Sequence, residues 1–190
     1  LPALAEFGAR HPALHIAAAA QIEALDALEA VHRQFGCDYA RISGANAQAL
    51  LPALRVGPEH CDAALIDHGS LKLDTNTMLH AHLATLRSAG GALVTGARVS
   101  AIARADRGWR VKTTSGDFTA PIVVNAAGAW ADIIARLAGV TPIGITPRRR
   151  TVISFAGPEG EDVRQWPFTK TVGEGFYLLP EGRGQLLASS

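Results

Sequence analysis

The sequence predicts an α+β protein of two lobes, and three observations carry that prediction. Apolar residues recur at helical spacing in two long segments. Residues 99–120 then switch to a period of two, and after Pro147 the chain reads mostly as β-structure. With 48% hydrophobic and only 18% charged residues, a well-buried globular body is expected rather than a disordered chain.

Residues 14–17 form the first strand candidate. A helix follows over residues 21–35, where Ile22, Leu25, Leu28, Val31 and Phe35 share a stripe and Gly36 suits the position just past the end. Ser43 can cap a short helix that Pro52 ends. Asp74 is a second N-cap, for a helix carrying Leu79, Leu83 and Leu86 on one face and closed by Gly90 and Gly91. Val99, Ala101 and Ala103 alternate with polar residues, Asp106-Arg-Gly108 turns, Trp109, Val111 and Thr113 alternate again, and Phe118 opens a third strand. The apolar run at residues 122–124 suits a strand covered on both faces, as in a parallel sheet. It leads through Asn125-Ala-Ala-Gly128 into a helix over residues 129–137 closed by Gly139. Strands are expected at 151–155, 175–179 and 185–188.

Several function classes drop out early. A formal net charge of +1 with no basic tail leaves no electrostatic footprint for nucleic acid. The longest apolar stretch, at residues 16–20, is far too short to span a bilayer. Cys37 and Cys61 fit no CxxC spacing, which favours a reducing compartment, the cytoplasm, with peripheral association at a membrane left open. His80 and His82 diverge on a helix, and no other histidine spacing matches a zinc pattern. No nucleophile elbow or P-loop occurs.

Two constellations remain. The strand–turn–helix at residues 123–131 uses small residues, which let a ligand approach the backbone closely at a helix start; plain packing explains the same residues. Arg148, Arg149 and Arg150 begin a predicted strand, so Arg149 should oppose the other two. A guanidinium fork matches a carboxylate bidentately, and the Tyr177 hydroxyl can add a hydrogen bond. The alternative is solvated surface arginines and a core tyrosine beside Phe176.

Val-Val-Asn-Ala-Ala-Gly-Ala-Trp at residues 123–130, preceded by the meander and by Asp74 with its helix, resembles the middle of the FAD-dependent D-amino-acid oxidase family. The resemblance runs from about His11 to Ser190. It is nearest to D-arginine-dehydrogenase-like members through Pro147-Arg-Arg-Arg150, Trp166-Pro167 and Gly175-Phe-Tyr-Leu-Leu-Pro180. It implies cofactor contacts at Val99, Ala127, Gly128 and Trp130, and an amino-acid carboxylate held by Arg150 and Tyr177. It also implies oxidation of the α-amine of a small-molecule amino acid, most simply a D-amino acid, by hydride transfer to FAD. No residue stands out as a catalytic base. Sarcosine or glycine oxidases and glycerol-3-phosphate dehydrogenase-like flavoenzymes share the Asn-Ala-Ala-Gly segment and stay open. So does a non-catalytic binding module.

The resemblance implies a partial flavin domain at residues 71–140 and a substrate domain, built on a mixed and largely antiparallel sheet, from residues 1–70 with 141–190. The glycine-rich pyrophosphate turn is not found: Gly173-x-Gly175 and Gly182-x-Gly184 lack the third glycine and neither opens a helix. The chain starts at Leu1 without methionine and stops straight after a strand-like run, so it is expected to be an internal fragment, inactive by itself and self-associating through the exposed residues 122–124. Members that prefer basic substrates present an acid near the first strand. His11-Pro-Ala-Leu-His-Ile-Ala-Ala-Ala-Ala20 has none, so a neutral or apolar substrate side chain is expected.

Overall fold

The computed structural model describes residues 4–190 and divides into two compact units. One comprises the residues up to Leu79 together with Arg150–Ser190; the other is His80–Arg149. Both boundaries lie nine residues further along the chain than the 71–140 drawn on the sequence.

In the first unit, β1 (Gly8–Arg10) and β5 (Leu71–Leu73) form a small antiparallel ribbon around the larger sheet's strands β2 (Ala13–Ala17), β3 (Tyr39–Ser43) and β4 (Ala63–Asp67) in sequence. Helices α1 (Ile22–Gln34) and α2 (Gly44–Leu50) join β2, β3 and β4, and α3 (Thr75–Ser88) leads out of β5. The second unit holds a meander of β6 (Val99–Ala105), β7 (Gly108–Thr113) and β8 (Gly116–Ala120), followed by α4 (Ala131–Leu137). The first unit then resumes with β9 (Ile153–Ala156), β10 (Phe168–Thr171), β11 (Tyr177–Pro180) and β12 (Gln185–Ser189).

The seven-stranded sheet has the order β3-β4-β2-β10-β11-β12-β9. Its pairings are antiparallel except β2 with β10, which run parallel. Alternation of side chains gives it two different faces. One carries Leu14, Ile16, Ala64, Ile66 and Leu186 and buries them with Ala47 and Leu51 of the α2 region and with Val163 and Trp166. The other is covered over part of its width by α1, where Leu25 packs with Ala17, Leu65 and Val172.

The capping predictions hold in detail. Ser43 Oγ accepts from Asn46 N–H at 3.2 Å, and Asp74 Oδ1 accepts from Thr77 N–H at 3.0 Å. Gly36 takes φ +64°, as a helix terminator in the left-handed region requires.

Other expectations are corrected. The buried stripe of α1 continues from Leu28 onto His32, while Val31 and Phe35 face solvent, because helical spacing returns to the sheet at i+4 and a histidine occupies that position. The α3 face is not buried: Leu79 and Leu86 are exposed. In β6 the inward residue is Ile102 rather than Ala101 or Ala103, since a bulge between Val99 and Ala101 shifts the phase of alternation. Residues 122–124 form no strand. No strand among the described residues pairs with their backbone, and Ile122 and Val124 are 75% and 81% exposed. The strand expected at 151–155 starts only at Ile153, so the three arginines precede it and the alternation argument for Arg149 lapses. Strands β1, β3, β4, β5 and β10 were not foreseen.

Candidate active site

Strand pairing aligns one row of side chains across the sheet: Arg41, Leu65, His15, Lys170, Tyr177 and Ser189 occupy successive partnered positions from β3 to β12. Directly partnered residues project from the same face. Helix α1 covers the β3–β4–β2 end of this row. At the other end Tyr177 is half-buried, with its ring tilted against Phe168 at 5.9 Å between centroids.

Arg150 joins this end. Its guanidinium carbon lies 5.8 Å from the centre of the Tyr177 ring, within cation–π range, although the residue itself is exposed and precedes β9. Arg150, Phe168, Lys170, Glu174 and Tyr177 line one open cavity of about 450 Å³. The structure therefore brings together the two residues singled out as a carboxylate clamp, and Tyr177 is not a core aromatic. Arg148 and Arg149 do not line this cavity.

A histidine pair borders the site. His15 meets His32 edge-to-face at 6.0 Å, and His32 meets Tyr39 at 5.6 Å. The Leu28 carbonyl lies 2.9 Å from His32 Nδ1, a position that requires that nitrogen to donate, while Nε2 faces Asp67 at 3.8 Å. Burial pushes the His15 pKa down to about 4, with the Lys170 charge and His32 adding to the shift and Asp67 opposing it. A larger cavity of about 990 Å³ runs from His15 and Phe168 to His11, Lys72 and Glu181. There His11 is held below its usual range by burial and then by Lys72, and its Nε2 is buried with no hydrogen-bond partner among the described residues. Sequence reasoning missed Lys170, His15 and His32 as members of one surface. Only the register of β2 with β10, strands about 150 residues apart, unites them.

In the second unit, Ala127, Gly128 and Trp130 lie within a single turn, with Trp130 N–H donating to Ala127 O at 3.0 Å. Asn125 pins it: its Nδ2 donates to Ala131 O at 2.8 Å and its Oδ1 accepts from Ala127 N–H at 3.3 Å. Gly128 has φ +53° and open space where a Cβ would stand, and the Trp130 ring is exposed. A turn so small and open fits the edge of a flat or anionic cofactor. Val99 is half-buried at the start of β6, on the meander rather than in this turn. Gly173 and Gly175 lie in the β10–β11 hairpin and Gly182 and Gly184 in a single 3-10 turn before β12, so no glycine pair among the described residues opens an α-helix as a pyrophosphate cradle. Among the described residues no group of three histidine, cysteine or acidic side chains could hold a metal ion. Cys37 and Cys61 are both free. No helix among them is long and apolar enough to cross a membrane.

The fold is that of flavin-linked oxidoreductases. The L-proline dehydrogenase from P. horikoshii superposes with a TM-score of 0.80 at 22% identity, over 96% of this chain and 49% of that one. The L-α-glycerophosphate oxidase from Mycoplasma pneumoniae, solved with FAD bound, gives 0.80 at 20% identity over 97% and 50%. Glycine oxidase from Geobacillus kaustophilus gives 0.73 at 20% over 96% and 48%. The chain belongs to the FAD-dependent oxidoreductase family, whose model matches residues 4–190. Human mitochondrial dimethylglycine dehydrogenase is 29% identical over 126 residues, which is 65% of this chain and 14% of that protein. The chain thus spans about half the length of the solved relatives it matches. FAD is the cofactor of the family.

Proposed function

We propose that this chain supplies the substrate lobe and part of the flavin lobe of an enzyme that oxidises the α-amine of an amino acid, with D-amino acids as the substrate class. The observation that carries the reading is Arg150 set over the Tyr177 ring, with both residues lining one cavity. The names of three relatives, a proline dehydrogenase, a glycine oxidase and a dimethylglycine dehydrogenase, all denote compounds with an amine beside a carboxylate. That shared chemistry supports a carboxylate clamp. The glycerophosphate oxidase supports the runner-up, a phosphate ester bound by the same arginine.

In this reading Arg150 takes the carboxylate through its planar fork and the Tyr177 hydroxyl donates to the same group. Fixing that end of the substrate restricts how the Cα–H bond can point, which is the main positional demand of the reaction. Bound FAD supplies the two-electron acceptor. Val99, Ala127, Gly128 and Trp130 are the residues we assign to its edge, the residues up to about 70 with those from about 141 forming the substrate lobe.

The test is the visible spectrum of the full-length protein, recorded anaerobically with a panel of D-amino acids. Bleaching by some of them, with Arg150→Ala raising the half-saturating concentration about 100-fold, supports the reading. A flavin bleached only by glycerol phosphates discards the substrate class, and a colourless protein discards the enzyme.

A further inference from the structure

The cavity beside Tyr177 contains a second cation that a single carboxylate leaves without a role. Lys170 lies directly opposite Tyr177 in the β10–β11 pairing and beside His15 in the β10–β2 pairing. It lines the same cavity as Arg150. Partnered positions set the Lys170 and Tyr177 Cβ atoms about 5 Å apart on one face. Arg150 covers the tyrosine ring, and the lysine stem rises from the adjacent strand.

Lys170 is half-buried, and none of the ion pairs among the described residues includes it. On its β2 side the neighbour is His15, a ring kept neutral at ordinary pH, which offers no counter-charge. Glu174 is the only acidic side chain among the cavity's lining residues. It stands exposed on the β10–β11 hairpin and forms no ion pair with Lys170. With Arg150 lining the same cavity and no ion pair among the described residues engaging Lys170, its ammonium is open to an incoming anion. Arg150 and Tyr177 suffice for one carboxylate, which leaves Lys170 for a second anionic group.

Resting on the clamp reading above, we propose that Lys170 is a second anionic anchor that selects amino acids whose side chain ends in a carboxylate. The missing acid on β2 argues against a basic side chain, and Lys170 in the cavity replaces the neutral or apolar side chain expected from the sequence with an acidic one. Lys170 turns that exclusion into a preference.

The experiment compares acids with their isosteric amides on the full-length flavoprotein: D-aspartate with D-asparagine, and D-glutamate with D-glutamine, each followed by anaerobic flavin reduction. The KM for the acid is expected to lie about tenfold or more below that for the amide. Lys170→Met brings the acid-to-amide ratio to about one, while Lys170→Arg restores it, a rescue that a merely structural lysine would not show. Lys170→Gln serves as a second neutral variant if the methionine disturbs the strand. Equal KM values for acid and amide, or a ratio that Lys170→Met and Lys170→Gln leave intact, overturn the assignment while the clamp reading stands. Reduction by glycerol phosphate that depends on Lys170 overturns it in favour of a phosphate anchor. A flavin that no amino acid reduces overturns the clamp and the anchor together.

Discussion

Acidification of the full-length protein tests the packing around the site through a single ring. His15 is held near pH 4 in the folded state and returns to 6.5 when the chain unfolds. Above about 6.5 neither state binds the proton, so the ring's contribution is fully present. As pH falls from 6.5 towards 4 the unfolded chain takes up a proton that the folded chain refuses, and stability is lost across that window. The gap corresponds to at most about 3.4 kcal/mol at about 1.36 kcal/mol per pH unit. His15 is only half-buried, so water screening brings the expected loss to about 2 kcal/mol. The assay is the free energy of urea unfolding at a series of pH values for the wild type and for His15→Gln, with the His15 ring titrated by NMR in parallel. Lys170→Met should raise the ring's pKa, because the lysine charge is one cause of the depression, and Asp67→Asn should lower it further. His11, also depressed, leaves a residual acid dependence in His15→Gln. A His15 resonance titrating near 6.5, or a His15→Gln variant that keeps the whole acid loss, refutes the reasoning.

Other predictions concern single features. Asp132 is buried and its carboxylate accepts from the N–H groups of Ile143, Gly144 and Ile145 at 3.1, 3.0 and 2.9 Å; Asp132→Ala should cost about 3 kcal/mol and strip hydrogen-exchange protection from those three amides. Gly44→Ala would drive a Cβ into the Cys61 carbonyl at the start of α2, and a drop in melting temperature with loss of about 2 kcal/mol or more is expected by calorimetry. Ser43→Ala removes the cap of the same helix and should cost about 1 kcal/mol. The exposed Ile122 and Val124 are expected to drive self-association of this chain, so light scattering should show smaller particles for the Ile122→Thr, Val124→Thr double variant than for the parent.

What the sequence disclosed and what it hid divide along physical lines. Helix caps at Ser43 and Asp74 were legible because capping is local chemistry, settled within four residues. The meander was legible because three alternating runs are separated by glycine turns. Its inward face was not, because one bulge reverses the phase. The strand at Ala63–Asp67 shows no alternation, being buried on both faces, and Tyr39–Ser43 carries an arginine that α1 claims through Asp26 and Glu29. Arg150 and Tyr177 could be named from a motif. Lys170 and His15 become their neighbours only through long-range pairing, which no local pattern encodes.

That long-range pairing also sets an order of events during synthesis. The β2 strand is flanked by β4 on one side and by β10 on the other, and β10 lies about 150 residues further along the chain. At ribosomal speeds of about 5–20 residues per second, β2 waits roughly 8–30 seconds for its second partner. Through that interval its Leu14 and Ile16, fully enclosed in the finished protein, border an open hydrogen-bonding edge. The nascent chain thus carries a sticky edge while the entire His80–Arg149 unit is being made. Ribosome-bound chaperones should engage it there, and slowing elongation within codons 80–149 should raise aggregation more than the same delay placed after β12.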